Sequence, residues 1–216
     1  MVLETTQSPP TSDLPLYGKV IATGVSFDEF LSEYDQQRVE WVEGAVIEMP
    51  GISLKHANLS KFLLFLFQAF LEMSEGGQVF QDPMLMVLPS GAVRAPDLQV
   101  ILPVHAHRIG PKFILGPADL VVEIVSEGSQ NIDRVNKLTE YAKGGVPEYW
   151  IIDPLFNEAL FYVLTPQGEY QRVAPVDGVY TSRALPKLKL PVSLLWQDPL
   201  PTLAQTTAIV VDMLKA

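Results

Sequence analysis

The 216-residue chain contains no cysteine. That absence excludes a disulfide framework, a thiolate nucleophile and any cysteine-ligated zinc or iron–sulfur site. It agrees with a reducing cytosol, and a cytoplasmic location is the expectation. Bases are also scarce: 15 Lys and Arg stand against 25 Asp and Glu, a formal charge of −10. Such a balance argues against strong non-specific binding of a phosphate backbone. The deficit is uneven, however. Residues 1–53 hold nine acids and two bases, whereas Arg94 to Lys143 holds six of each. A membrane-spanning run is missing as well. The most apolar stretch, Phe62 to Phe67, continues only to about Met73 and is interrupted by Gln68 and Glu72. A span needs roughly 20 mostly apolar residues, so this stretch reads as a buried helix and no membrane partner is expected. Residues 1–15 have neither the basic start nor the apolar core of a signal peptide and are expected to form a loosely held arm. There is no Gly-rich phosphate loop ending in Lys-Ser/Thr, no GxGxxG, no HExxH and no GxSxG. ATPases, dinucleotide enzymes, and zinc proteases and serine hydrolases of those types are therefore without support.

What is present has the rhythm of an α/β protein. Ser26 followed by Glu29 fits a capping box, with Phe27, Phe30 and Leu31 as the apolar stripe of a helix over about 26–35. Arg38 to Met49 reads as two strands around a turn at Glu43-Gly44. A long helix is predicted from Leu54 to Met73, N-capped by Ser53. Strands follow near 78–82, 84–88, 93–101 and 119–125, with a Pro-, His- and Gly-rich loop over 103–117. A helix over 132–143 stopped by Gly144-Gly145, then a strand over 148–152, complete a βαβ unit with parallel strands. A hairpin (158–163 and 169–173), a strand near 178–184 and a helix from about 201 end the chain. The expected organisation is an arm over 1–15, one domain over 16–200 and a C-terminal helix over 201–216.

Chemistry is concentrated in two acids. In the strand Asp119 to Val125 alternation sends Leu120, Val122 and Ile124 to one face and Val121, Glu123 and Val125 to the other. Strands covered on both faces are nearly all apolar, and here Glu123 is the exception. A carboxylate in that setting is costly unless it is paired or bound to a cation. Asp97, just after Pro96 at the start of another apolar strand, repeats the pattern. If the two meet, they make an oxygen-rich site suited to Mg²⁺ or Mn²⁺. Each alone reads equally as a solvated rim group or a salt-bridge partner.

Pro96-Asp97 followed 26 positions later by Glu123 resembles the PD-(D/E)XK nuclease signature. Further segments resemble one branch of that superfamily, a large bacterial family of restriction-endonuclease-like proteins. They are Glu40-Trp-Val-Glu-Gly44, His56, Val122-Glu-Ile-Val-Ser126, Asp133 to Lys137 and Gly145-Val-Pro-Glu-Tyr-Trp-Ile-Ile-Asp-Pro154. The resemblance covers roughly residues 24–190. It implies a restriction-endonuclease-like mixed β-sheet flanked by helices, to which the sequence adds β-hairpins. It also implies metal-dependent hydrolysis of phosphodiester bonds in DNA, with Asp97, Glu123 and the backbone carbonyl of Ile124 holding Mg²⁺ or Mn²⁺. A homodimer suits cutting of both strands of a duplex.

The pattern departs from the superfamily at Val125, where a lysine is expected. Lys137 on the following helix is the candidate substitute, since it flanks the buried stripe of Ile132, Val135, Leu138 and Tyr141. An ordinary i,i+4 surface pair with Asp133 is the alternative. Glu40 and Glu43 resemble the acid that relatives contribute from their first strands, and on a regular strand only one of them points at the site. His56 is a candidate for orienting a phosphate or a water, or a satisfied structural histidine. His105 and His107 read as exposed loop residues, with a ligand role as the alternative, and Tyr149-Trp150 as core packing first and a substrate platform second. A catalytically silent scaffold acting as a binding or regulatory module, and an enzyme acting on RNA or a small phosphodiester, are the competing functions.

Overall fold

A computed structural model describes residues 19–34, 37–49, 51–74, 76–126 and 133–215, the side chains of 133–135 excepted. The arm over 1–15 and the first residue of the 132–143 helix lie outside these. Helix α1 (Phe27–Glu33) begins at the Ser26–Glu29 capping box read from the sequence. Helix α2 (Leu54–Met73) starts where the Ser53 hydroxyl accepts from the His56 N–H. It is followed later by α3 (Asp133–Gly144) and α4 (Leu203–Lys215). Helix α3 stops in a Schellman turn: Gly145, at φ +81°, lets Val146 N–H reach Tyr141 C=O and its own N–H reach Ala142 C=O. No helix among the described residues is long and apolar enough to cross a membrane.

The strands are β1 (Lys19–Ala22), β2 (Val39–Val42), β3 (Ala45–Glu48), β4 (Gln78–Gln81), β5 (Leu85–Val87), β6 (Val93–Arg94), β7 (Leu98–Ile101), β8 (Phe113–Leu115), β9 (Leu120–Ile124), β10 (Glu148–Asp153), β11 (Glu158–Leu164), β12 (Tyr170–Val173), β13 (Val179–Thr181) and β14 (Lys189–Pro191). They form a large sheet ordered β12-β11-β10-β9-β7-β4, a second sheet ordered β1-β3-β2-β6-β5-β8, and the β13-β14 ribbon. The expected βαβ unit is present, with β9 and β10 parallel and Glu123 level with Ile151.

Both faces of the large sheet are covered, as the apolar strands require. Leu120, Val122, Ile124, Trp150 and Ile152 join α2 residues such as Phe62 and Phe67, and Val210 of α4, in the main core. Each fully buried Phe or Leu there contributes about 2 kcal/mol. The C-terminal helix packs on α2. On the opposite face Val121, Val125, Tyr149 and Ile151 meet Tyr141 of α3 and Met86 and Ile114 of the second sheet. Alternation along β9 therefore runs as expected, and Glu123 faces α3.

Two differences from the sequence reading bear on the site. The β2–β3 and β5–β6 hairpins do not stand alone, because β6 pairs with β2 and fuses them into the second sheet. The single strand expected over 93–101 is two strands in two sheets, β6 and β7, separated by Ala95-Pro96-Asp97. Pro96 has no N–H for a ladder, and Ala95 gives its own to the Glu40 side chain. Asp97 consequently lies at the seam between the sheets.

Candidate active site

Glu40, Asp97, Glu123 and Lys137 come together at this seam, brought by β2, the β6–β7 junction, β9 and α3. Lys137 Nζ lies 3.0 Å from Glu123 Oε1 and 3.8 Å from Glu40 Oε1, and its side chain is 4% exposed. Its place one helical turn before Tyr141 puts both on one face of α3. The Tyr141 hydroxyl donates to the same Glu123 oxygen at 2.6 Å. Lys137 is thus at the site rather than on a solvated surface.

Glu40 is completely buried, held by Arg94 Nη1 at 2.6 Å and by the Ala95 N–H at 3.1 Å. Arg94 in turn pairs with Glu140 at 2.6 Å. Burial alone would raise the Glu40 carboxyl, but Lys137 and Arg94 overcome it and hold it below the ordinary carboxylate value. The balance at Glu123 is reversed. Burial pushes its carboxyl up, Lys137 pulls it down, Asp97 and Glu40 push it up again, and it ends at about 8.

Asp97 is oriented from two sides. The Ile124 N–H donates to Oδ2 at 2.6 Å, and His56 Nε2 lies 2.9 Å from Oδ1. His56 Nδ1 lies 3.0 Å from the Ser126 hydroxyl, so this buried ring links α2 to the end of β9. A residue's N–H and C=O point to the same edge of an extended strand. The Ile124 carbonyl is therefore on the Asp97 side of β9.

The remaining sequence candidates fall elsewhere. Glu43 sits exposed at the β2–β3 turn with φ +48°, and makes no hydrogen bond or ion pair to the cluster among the described residues. Val125 is buried in the core beside Tyr141. His107 is exposed, but His105, expected to be exposed too, is half-buried and pairs with Asp119 at 2.6 Å. Tyr149 and Trp150 are buried core residues.

Sequence reasoning missed Arg94, Tyr141 and Asp82 as members of the site. Arg94 carried a usable signal, a cation in an apolar strand that needs a buried acid. Asp82 carried none. Its N–H bonds the Asp97 carbonyl at 3.3 Å, and its carboxylate takes Arg38 Nη2 at 2.7 Å.

Among the described residues no three His, Asp or Glu side chains converge as a ready metal cage. The acids nevertheless fit a divalent ion, whose charge would displace the proton that Glu123 holds below about 8. Five carboxylates (Glu40, Asp82, Asp97, Glu123 and Glu140) share this connected network with three cations (Arg38, Arg94 and Lys137). A donor set of Asp97, Glu123 and the Ile124 carbonyl would be completed by water, as is usual for Mg²⁺.

The family described as "Uma2: Putative restriction endonuclease" matches residues 26–193. The chain belongs to this family. The Uma2 match covers every strand of both six-stranded sheets except β1, and every residue of the cluster. A solved structure from Anabaena variabilis ATCC 29413, titled as a putative nuclease belonging to DUF820, aligns with a TM-score of 0.65 at 20% identity. The alignment covers 78% of this chain and 96% of that one, and shows that the restriction-endonuclease-like fold is shared. No curated protein matches the chain.

Proposed function

We propose that this Uma2 protein is a metal-dependent phosphodiesterase, a DNA endonuclease, with Asp97, Glu123 and the Ile124 carbonyl as ligands of Mg²⁺ or Mn²⁺. The observation that carries the reading is the 3.0 Å approach of Lys137 to Glu123. It returns to the acid pair the cation that Val125 lacks. A divalent ion there supplies Lewis-acid chemistry, activating water and neutralising charge on a phosphate. Lys137 stabilises negative charge developing on the phosphate oxygens. His56 and the Ile124 N–H fix the Asp97 carboxylate, and Tyr141 fixes Glu123. Two copies about a two-fold axis would cut both strands of a duplex in the cytosol.

A silent scaffold is the second reading, favoured by the burial of Val125 in the core and by the charge of −10. Isothermal titration of Mn²⁺ and Mg²⁺, with and without DNA, separates the two. Binding that Asp97→Asn and Glu123→Gln both abolish, with cleavage of DNA by the wild type, supports the enzyme. A folded wild type that binds no metal even with DNA present supports the scaffold. A panel of DNA, RNA and small phosphodiesters identifies the substrate.

A further inference from the structure

Strand β2 points two charged residues along one face, Arg38 just before it and Glu40 within it, since side chains two apart share a face. Glu40 belongs to the cluster around Lys137. Arg38 reaches the opposite side of the seam, where Nε and Nη2 contact Asp82 Oδ2 at 2.8 and 2.7 Å. Asp82 is next to Asp97 across the β4–β7 pairing. The charged groups therefore run in a row from Lys137 and Glu123 through Asp97 and Asp82 to Arg38. Beyond Asp82 the surface opens into a cleft of about 860 Å³ between the end of α1, β4 and the start of β8.

The lining of this cleft differs from the rest of the molecule. Its charged residues are Arg38, Lys112 and Asp82, two bases and one acid in a chain of net charge −10. Phe80 and Phe113 are half-buried in its walls, which are otherwise largely aliphatic. Basic groups beside aromatic faces are what a nucleotide needs, because phosphate seeks cations and every base offers a π-face. A volume of this size takes a flexible strand or a splayed nucleotide rather than a duplex, whose major groove alone is about 12 Å wide.

We propose that this cleft receives the nucleotide neighbouring the scissile phosphate, with Arg38 and Lys112 on its phosphate and Phe80 and Phe113 against its base. The assignment rests on the phosphodiesterase reading and adds a second binding site to it. Arg38 turns from Asp82 toward the incoming phosphate, so the row of charges bridges two successive phosphates of one strand.

The test is fluorescence anisotropy with labelled single-stranded and duplex oligonucleotides over a range of salt, beside a cleavage assay. The variants are Lys112→Ala, Arg38→Lys and, as a control on α2 outside the cleft, Lys61→Ala. Lys112 and Lys61 are exposed, and a thermal melt of each variant checks that it folds. Lys112→Ala is expected to weaken binding several-fold and to lower the slope of log K against log salt by about 0.7 to 0.9, the value of one phosphate contact. Arg38→Lys weakens binding further by losing the planar fork, and Lys61→Ala changes neither quantity. If the wild type binds and cuts while Lys112→Ala and Arg38→Lys keep its affinity and slope, the cleft assignment is wrong and the phosphodiesterase reading stands. An equal loss in Lys61→Ala also overturns the cleft, since the effect is then not local. A wild type that binds and cuts no oligonucleotide with either metal overturns both.

Discussion

Lys137 Nζ and the Tyr141 hydroxyl meet on one oxygen of Glu123, at 3.0 and 2.6 Å, from successive turns of α3. The helix thereby supplies a cation to a strand that carries valine at the position where a lysine is expected. Lys137→Ala should leave divalent-metal binding by Asp97 and Glu123 in place while lowering cleavage about 10²-fold or more. Parallel calorimetry and cleavage rates check this, and loss of both together would make Lys137 a structural residue instead.

Acid–base linkage gives Glu123 a defined sign. Its folded value of about 8 lies above the ordinary carboxylate value. The native state therefore holds a proton that the unfolded chain has released between about 4.5 and about 8. Stability of the metal-free protein should fall as pH rises through that window and level off above it. Glu123→Gln should flatten the slope and raise Tm at pH 8, as measured by thermal melts in EDTA. A wild-type Tm that climbs steadily over the same range would contradict the assignment.

Glu40 carries the opposite sign. Arg94 and Lys137 hold its carboxyl below the ordinary value, so its contribution is present above about 4.5 and lost as pH falls through the lower folded value. Glu40→Gln leaves Arg94 with Glu140 and Lys137 with Glu123, but takes one charge partner from each. It is expected to cost about 1.5 to 3 kcal/mol at neutral pH, the worth of hydrogen bonds to a charged group, read from urea unfolding. A cost under about 1 kcal/mol would place the pair among weakly coupled surface bridges.

His56 acts on the site through Asp97, 2.9 Å away. Groups that orient a ligand commonly change metal affinity by about 10- to 100-fold when removed. His56→Gln, which keeps a polar group in the buried space, should therefore weaken Mn²⁺ binding within that range while lowering Tm only modestly. A large drop in Tm with unchanged affinity would assign His56 to the fold alone.

Glu148 is a buried acid with a structural role. Its carboxylate accepts from Trp150 Nε1, the Tyr180 and Ser182 hydroxyls, and the Arg183 and Ala184 N–H groups, at 2.6 to 2.9 Å. This set ties the 180–184 segment to the large sheet. Glu148→Gln turns one acceptor into a donor facing donors and is expected to destabilise by about 1 to 3 kcal/mol. Metal binding should be unaffected, and paired melts and titrations test both points.

The sequence by itself determined the elements whose signals are local. The capping box at Ser26, Ser53 as the start of α2, the Gly145 stop of α3 and the alternation along β9 depend on neighbours a few residues apart. The apolar character of β9 also marked Glu123 as out of place, and Pro96 marked Asp97 as the start of a strand. Tertiary structure decided what the two acids meet. The short pairings of β6 that create the second sheet, the seam that receives Asp97, the Arg94 support of Glu40 and the approach of Asp82 join residues distant in the chain. No periodicity encodes such contacts. They form because the charges excluded from water between α3 and the two sheets must find one another, and only the folded chain fixes which partners are within reach.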